Sequence, residues 1–432
     1  MSTVWSNWAG DQRCEPDLVD EPASEDEVAA ALARAAAAGR PVKVSASGHS
    51  FTDIACTDGH MLRLGRMKRV LAADAASGFA EVEAGASIHE LGPLLADHGL
   101  ALENQGDVDP QSISGAISTA THGTGVRYRN LSAQVAGLRL VTAGGEVVEC
   151  SADDDPELFR AARVGLGALG VITGVRLRCA ALYTLRRVDA PRPLDETLER
   201  LDELVDGSDH FELFVFPYTR TALTRVTEKT DDPPNPPSAI ARWWNDIVLE
   251  NWVFGLFLFA GRLARFAIPT FNRALARFSS GSVRVDRSYR IYANPRNVRF
   301  TEMEYAIPRA AGREALERVM ALVERRRLPI SFPIEFRFVA PDDAFLSPAA
   351  DRETAYIAVH VYHGMEHETY FRAVESIMRE YDGRPHWGKR HYRTAADLAP
   401  AYPNWARFLE VRDRLDPNRL FRNDYTDRVL GP

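Results

Sequence analysis

The chain is 432 residues long, 45% hydrophobic and 26% charged, with a formal net charge of −8. These values exclude a disordered, collagen-like or membrane-embedded chain, and the acidic balance gives no electrostatic reason for nucleic acid or an anionic membrane as partner. A small-molecule partner is the expectation, and the length favours two or more domains.

The start, Met1 to Trp8, has neither a basic n-region nor an apolar h-region, so a cytoplasmic protein is expected. Cys14, Cys56, Cys150 and Cys179 form no CxxC pair and read as reduced thiols, with no metal expected. Ser24-Glu25-Asp26-Glu27 reads as a capping box ahead of an Ala-rich helix that Gly39 ends, and the strand Pro41 to Ser45 follows. The loop Ser45-Ala46-Ser47-Gly48-His49-Ser50-Phe51-Thr52 reads either as a tight turn or as a cradle whose backbone N–H groups converge on a diphosphate. Strands fill the interval from Met61 to Ala84, and Ser87-Ile88-His89-Glu90 caps a second helix closed near Gly99.

The stretch from Gly106 to Gly125 is rich in Gly, Ser and Thr, which suits close approach of backbone to a ligand. It lacks the GK[ST] ending of a nucleotide-triphosphate loop. Gly137 to Val148 reads as a hairpin, with Gly144-Gly145 supplying positive φ at its turn. Gly165-Leu166-Gly167-Ala168-Leu169-Gly170 spells GxGxxG, but a helical pattern precedes it and a strand follows, the reverse of the nicotinamide-dinucleotide fingerprint.

After Cys179 the character changes and a second domain begins. Asp231 to Ser238 is a proline-rich loop. Val253 to Ala260 is the most apolar run and falls short of the ~20 residues of a membrane span. With Arg262, Arg265 and Arg273 following, it reads first as a core or substrate-domain helix and second as a helix lying on a membrane or a partner. Pro333 to Val339 alternates as a strand, with Ile334, Phe336 and Phe338 on one face and Glu335 and Arg337 on the other. The latter two either pair on a solvated face or converge on one hydroxyl. In the strand Tyr356 to Gly364, His360 and Tyr362 share a face, which suits a polar substrate wall or a satisfied core histidine. Lys389, one of four lysines, reads as a surface residue or as a point charge for negative charge that develops nearby.

Together these segments resemble the FAD-linked oxidases of the vanillyl-alcohol oxidase superfamily, and within it the aldonolactone oxidoreductases. The strongest pieces are Ser47-Gly48-His49-Ser50-Phe51-Thr52-Asp53-Ile54-Ala55, Thr121-His122-Gly123-Thr124-Gly125, Leu166-Gly167-Ala168-Leu169-Gly170-Val171-Ile172-Thr173 and His386-Trp387-Gly388-Lys389. The resemblance spans nearly the whole chain. It implies an α+β, two-domain fold with a vanillyl-alcohol-oxidase-like FAD-binding domain over 1–180. A substrate domain on a mainly antiparallel sheet would cover 181–432, its segment from about 385 returning to the flavin.

On the same resemblance, Ser45, Ala46, Ser47, Gly48, His49 and Ser50 would cradle the diphosphate, and His49 matches members whose flavin is covalently attached to a histidine ring. Gly106, Asp107, Ser112, Gly115, Ser118, Thr121, His122, Gly123 and Ile172 would line the cofactor. The catalytic pair falls on Glu335 and Arg337, with His360 and Lys389 beside it. A substrate hydroxyl would be held by the pair while its carbon-bound hydride passes to flavin N5. Asp107 and Tyr362 stand where the alditol-oxidase branch carries serine and threonine, and favour a ring-shaped lactone over an open polyol. Gly106 stands where dehydrogenase members carry an alanine that hinders oxygen, so O2 is allowed as acceptor beside a cytochrome or quinone. The expectation is FAD-dependent oxidation of an aldono-1,4-lactone. A sugar alcohol (xylitol or sorbitol) oxidase and a non-catalytic flavin redox-partner module are the alternatives.

Overall fold

The computed structural model describes residues 4–238, 240 and 243–432. Near the N-terminus, β1 (Leu18–Asp20), β2 (Val42–Ser45) and β3 (His60–Arg63) form a parallel sheet in the order β1-β3-β2. Helix α1 (Glu25–Ala37) buries Val28, Ala31, Leu32 and Ala35 against Val42 and Leu62, a spacing of three and four that puts all four on one helical face. Its capping differs from the sequence expectation. Ser24 accepts from the Glu27 N–H, but the Glu27 carboxylate turns to the N–H of Ala23, so the reciprocal box is not closed. At α2 (Ile88–Asp97) the box of Ser87 and Glu90 is complete.

A five-stranded antiparallel sheet follows, built from β4 (Val70–Asp74), β5 (Phe79–Glu83), β6 (Val135–Val141), β7 (Val147–Ser151) and β8 (Val171–Arg178), in the order β7-β6-β8-β5-β4. The β6–β7 hairpin turns on Gly145 alone, whose φ is +84; Gly144 is not in the left-handed region, contrary to the paired reading. Helix α3 (Pro156–Ala162) precedes the GxGxxG segment and β8 follows it.

Apart from two short two-stranded ladders, Trp5–Ser6 with Arg13–Cys14 and Leu100–Ala101 with Ala180–Ala181, the remaining strands make one eight-stranded antiparallel sheet: β9 (Thr184–Pro193), β10 (His210–Val215), β11 (Thr221–Thr230), β12 (Ser282–Arg287), β13 (Phe300–Pro308), β14 (Ile334–Val339), β15 (Thr354–Tyr362) and β16 (Arg384–Pro385), ordered β12-β9-β11-β10-β14-β15-β13-β16. Strand alternation splits its two faces sharply. Leu213, Val215, Ile334, Phe336, Phe338, Ile357, Val359, Met303 and Tyr305 share one face, and helices α6 (Gly312–Arg326) and α7 (Glu368–Arg379), numbered after α4 (Phe254–Leu263) and α5 (Ile268–Phe278), cover it. Gly312 lets α6 approach, since a Cβ there would lie 2.7 Å from Phe336.

The opposite face carries the charges. In the register, Glu302 stands opposite His360, Glu304 opposite Ala358, and Ala358 opposite Glu335, so these side chains project together. Yet β14 is buried along its whole length, because this polar face lies beneath the N-terminal part of the chain. The last segment returns there as well: Phe51 N–H donates to the Gly388 carbonyl, Val42 N–H to that of Leu420, and the Asn423 amide to the carbonyls of Asp53, Ile54 and Cys56.

Candidate active site

The loop after β2 closes one side of a cleft of about 1050 Å3, a volume that includes its part open to solvent. Ala46, Ser47, Gly48, His49 and Ser50 line it from the loop, Ser112, Gly115 and Ser118 from the small-residue stretch, and Leu166, Gly167, Leu169 and Ile172 from the far wall. Gly48 and Gly167 have φ of +69 and +63, a backbone that side chains strain. A Cβ on Gly115 would lie 3.6 Å from that of Ala46, so its absence keeps the wall open. The small lining residues, positive-φ glycines and hydroxyls fit a cofactor that carries a phosphate bridge. Lys43 lies in the floor, 3.4 Å from the Gly167 carbonyl and 3.3 Å from that of Phe421, and burial, with Arg412 nearby, brings its ammonium down to about 7.

At the His49 end of the cavity lies the buried polar face of the large sheet. Lys389 follows Gly388, whose Cα neighbourhood reaches Ser50, and its ammonium sits 5.2 Å from the Phe51 ring centre. His49 stacks on Trp8 with ring centres 5.6 Å apart. Burial, then the Lys389 charge, lowers its pKa to about 4, which leaves a neutral imidazole at neutral pH.

Within the polar face, the Arg337 guanidinium contacts Glu335, donates its Nε–H to Glu212 at 2.8 Å and lies 3.5 Å from Asp107. Burial raises the Glu335 carboxyl to about 7, with Asp107 and Glu212 adding to the rise and Arg337 opposing it. Asp107 goes the other way: despite burial, Arg296, which it contacts, and Arg337 hold it well below the carboxylate range. His360 Nδ1 faces the Pro333 carbonyl at 3.3 Å. A carbonyl only accepts, so Nδ1 carries hydrogen and Nε2 is turned toward Glu302 at 3.4 Å and Glu335 at 3.9 Å. Phe300 and Phe332 wall the ring. Lys389 contacts Glu302, and although burial opposes its charge, Glu302 and Glu304 raise its pKa above the ordinary value.

The structure therefore brings Glu335, Arg337, His360, Lys389 and Asp107 into one cluster, buried at Glu335, Arg337 and His360 and half-buried at Lys389 and Asp107. Tyr362 sits at the edge of that sheet face, packed against Phe300 and its apolar neighbours rather than in a polar wall. Ser45 lines an adjoining cavity with Ala46, Ser47 and Ser112. Gly106, Thr121, His122 and Gly123 do not line the large cavity. His122 instead pairs with Glu304 at 3.2 Å and stacks on Tyr356. Gly123 is demanded by packing, since a Cβ there would collide with the Gln105 carbonyl oxygen. A Cβ on Gly106 would lie 3.1 Å from the His122 carbonyl oxygen.

Sequence reasoning missed Glu212, Arg296, Glu302 and Glu304. The alternation of Glu302 and Glu304 with Met303, Tyr305 and Ile307 was the available signal for two of them.

A glycine- and serine-lined cleft that ends on an acid–base cluster fits a flavin-dependent oxidoreductase. Residues 16–151 match the FAD binding domain family, and residues 175–429 match the family of D-arabinono-1,4-lactone oxidase. The chain is 58% identical to an L-gulono-1,4-lactone dehydrogenase from Mycobacterium tuberculosis, covering 100% of both chains. It is 35% identical to an L-gulonolactone oxidase from Bos taurus, over 99% of this chain and 98% of the other. Among solved structures, cholesterol oxidase from B. sterolicum superposes with a TM-score of 0.80 at 17% identity, over 100% of this chain and 97% of that one, which shows a shared fold. The chain belongs to the D-arabinono-1,4-lactone oxidase family of FAD-dependent oxidoreductases.

Proposed function

We propose that this chain oxidises an aldono-1,4-lactone of the L-gulono or D-arabinono type at a CH–OH carbon. The observation that carries the reading is the convergence of Glu335, Arg337 and His360 on one sheet face beside the His49 end of the cavity. Bound FAD supplies the acceptor for the hydride that leaves the substrate carbon. Glu335 and Arg337 hold the substrate hydroxyl, and Nε2 of His360 takes its proton. Glu212 fixes the guanidinium from behind. Asp107, kept ionised by its arginines, accepts hydrogen bonds from further hydroxyls of the ring. Lys389, anchored on Glu302, supplies positive charge where negative charge grows.

The names of the relatives support a lactone over a polyol, and the M. tuberculosis relative, called a dehydrogenase, supports a cytochrome or quinone acceptor over O2. The domain boundary near residue 180 and a cytoplasmic location belong to this reading too. So does a covalent bond between FAD and His49, which the neutral ring facing the cavity supports.

Turnover of both lactones against xylitol and sorbitol, with a dye as acceptor and hydrogen peroxide measured alongside, tests the proposal. Polyol turnover alone would move the chain to the sugar alcohol oxidases.

A further inference from the structure

One row of side chains crosses the polar face of the large sheet with alternating charge. Asp189 on β9 stands opposite Arg225 on β11, and Arg225 opposite Glu212 on β10. Arg225 donates its Nε–H to Asp189 at 2.6 Å and an Nη1–H to Glu212 at 3.0 Å, and Glu212 accepts from Arg337 on β14 at 2.8 Å. Opposite charges on facing strands hold one another in place. At the sheet edge, Ser282 on β12 donates to Asp189 at 3.0 Å. Arg187 pairs with Asp189 at 3.2 Å and leads back to the site: it donates to the Asn294 side chain, and the Asn294 backbone N–H donates to the Asp107 carbonyl.

Arg187, Asp189 and Glu212 are buried and Arg225 is half-buried, so salt screens these pairs little. Despite burial, Arg337 and then Arg225 hold Glu212 below the ordinary carboxylate range, and Arg225 and then Arg187 do the same for Asp189. Glu212 divides its oxygens, Oε1 to Arg225 and Oε2 to Arg337. The division matters because Nε and Nη2 of an arginine form one edge that a single carboxylate can take with both oxygens. Nη2 of Arg337 is the nitrogen that contacts Glu335 and lies 3.5 Å from Asp107. An Oε1 released from Arg225 would compete for it. Glu212, Arg225 and Arg337 line a cleft of about 360 Å3, a volume that includes its part open to solvent, and it leaves room for that turn.

We infer that Arg225 is a positioning residue of this active site: by holding Oε1 of Glu212, it keeps Nη2 of Arg337 turned to Glu335 and the substrate hydroxyl. The inference rests on the reading of Glu335 and Arg337 as the pair that holds that hydroxyl. Arg225 does not line the flavin cleft and acts through Glu212. Its Nε and Nη1 lie on different edges of the guanidinium, so Asp189 anchors the group on one side while Glu212 is held on the other, a division that the planar fork of arginine permits.

The test compares the limiting rate of anaerobic flavin reduction by L-gulono-1,4-lactone or D-arabinono-1,4-lactone in FAD-loaded wild type, Arg225→Met, Glu212→Gln and the double variant. Arg225→Met should lose at least about tenfold, because a small misplacement of a substrate-holding group is costly in rate. With Glu212→Gln already present, no second anionic oxygen competes for Nη2, and adding Arg225→Met should change the rate by less than about twofold. A merely structural Arg225 would lower both backgrounds alike. Unchanged absorbance of the bound flavin before lactone is added shows an intact fold, and Arg225→Gln replaces Arg225→Met if the latter does not hold FAD. Arg225→Met that is reduced at the wild-type rate, or an equal loss in both backgrounds, would overturn the inference alone. Wild type that neither lactone reduces would overturn the reading of the pair and the inference with it.

Discussion

The Nε–H of Arg337 donates to Oε2 of Glu212 at 2.8 Å, across two neighbouring strands 125 residues apart in sequence. That bond fixes one edge of the guanidinium and leaves the other to Glu335 and Asp107. Arg337→Ala should therefore slow anaerobic flavin reduction by about 10²–10³-fold. Arg337→Lys should recover little of the loss, because an ammonium cannot serve all three carboxylates with a planar fork. Stopped-flow reduction by substrate reads both.

Glu335 supplies a pH signature. Its pKa in the fold is about 7 against an ordinary 4.5, so below that point the folded carboxyl keeps a proton that the unfolded chain releases. The stability it contributes relative to Glu335→Gln is full below pH 4.5 and is lost as pH rises to about 7. Urea unfolding at several pH values checks the sign. If the ionised carboxylate orients the substrate hydroxyl, the reduction rate should rise through pH 7 in wild type and lose that inflection in Glu335→Gln.

Lys389 is half-buried and paired to the buried Glu302. Glu302→Gln leaves the ammonium without its anion and should destabilise the fold by less than the about 3–5 kcal/mol of a fully buried pair, because Lys389 keeps some contact with water. The double variant Glu302→Gln, Lys389→Met should regain much of that stability while reducing flavin slowly, since an absent pair costs less than a broken one. Denaturant titration separates the two cases.

Much of this was legible in the chain, for local reasons. Glu335 and Arg337 share a face because strand period is two, and the apolar partners Ile334, Phe336 and Phe338 do enter the core. Glu212 and Arg296 were not legible, because they reach Arg337 and Asp107 through pairings 125 and 189 residues apart, which no local pattern encodes. The stretch around His122 is ambiguous for a different reason: small residues say that backbone comes close to something, and part of that closeness is chain against chain, as Gly123 against Gln105 makes plain.

His49 carries a prediction of its own. Acid precipitation of wild type should leave the yellow colour in the pellet, and His49→Ala should release it to the supernatant while still binding FAD before acid is added. Colour released from wild type would rule out the bond.

The central claim, that the cluster beside the flavin cavity oxidises a sugar lactone, is tested most directly by anaerobic mixing of the FAD-loaded protein with L-gulono-1,4-lactone or D-arabinono-1,4-lactone. The account predicts loss of the oxidised flavin's visible absorbance in wild type and a much slower loss in Arg337→Ala. Retention of the full absorbance with both lactones would contradict it.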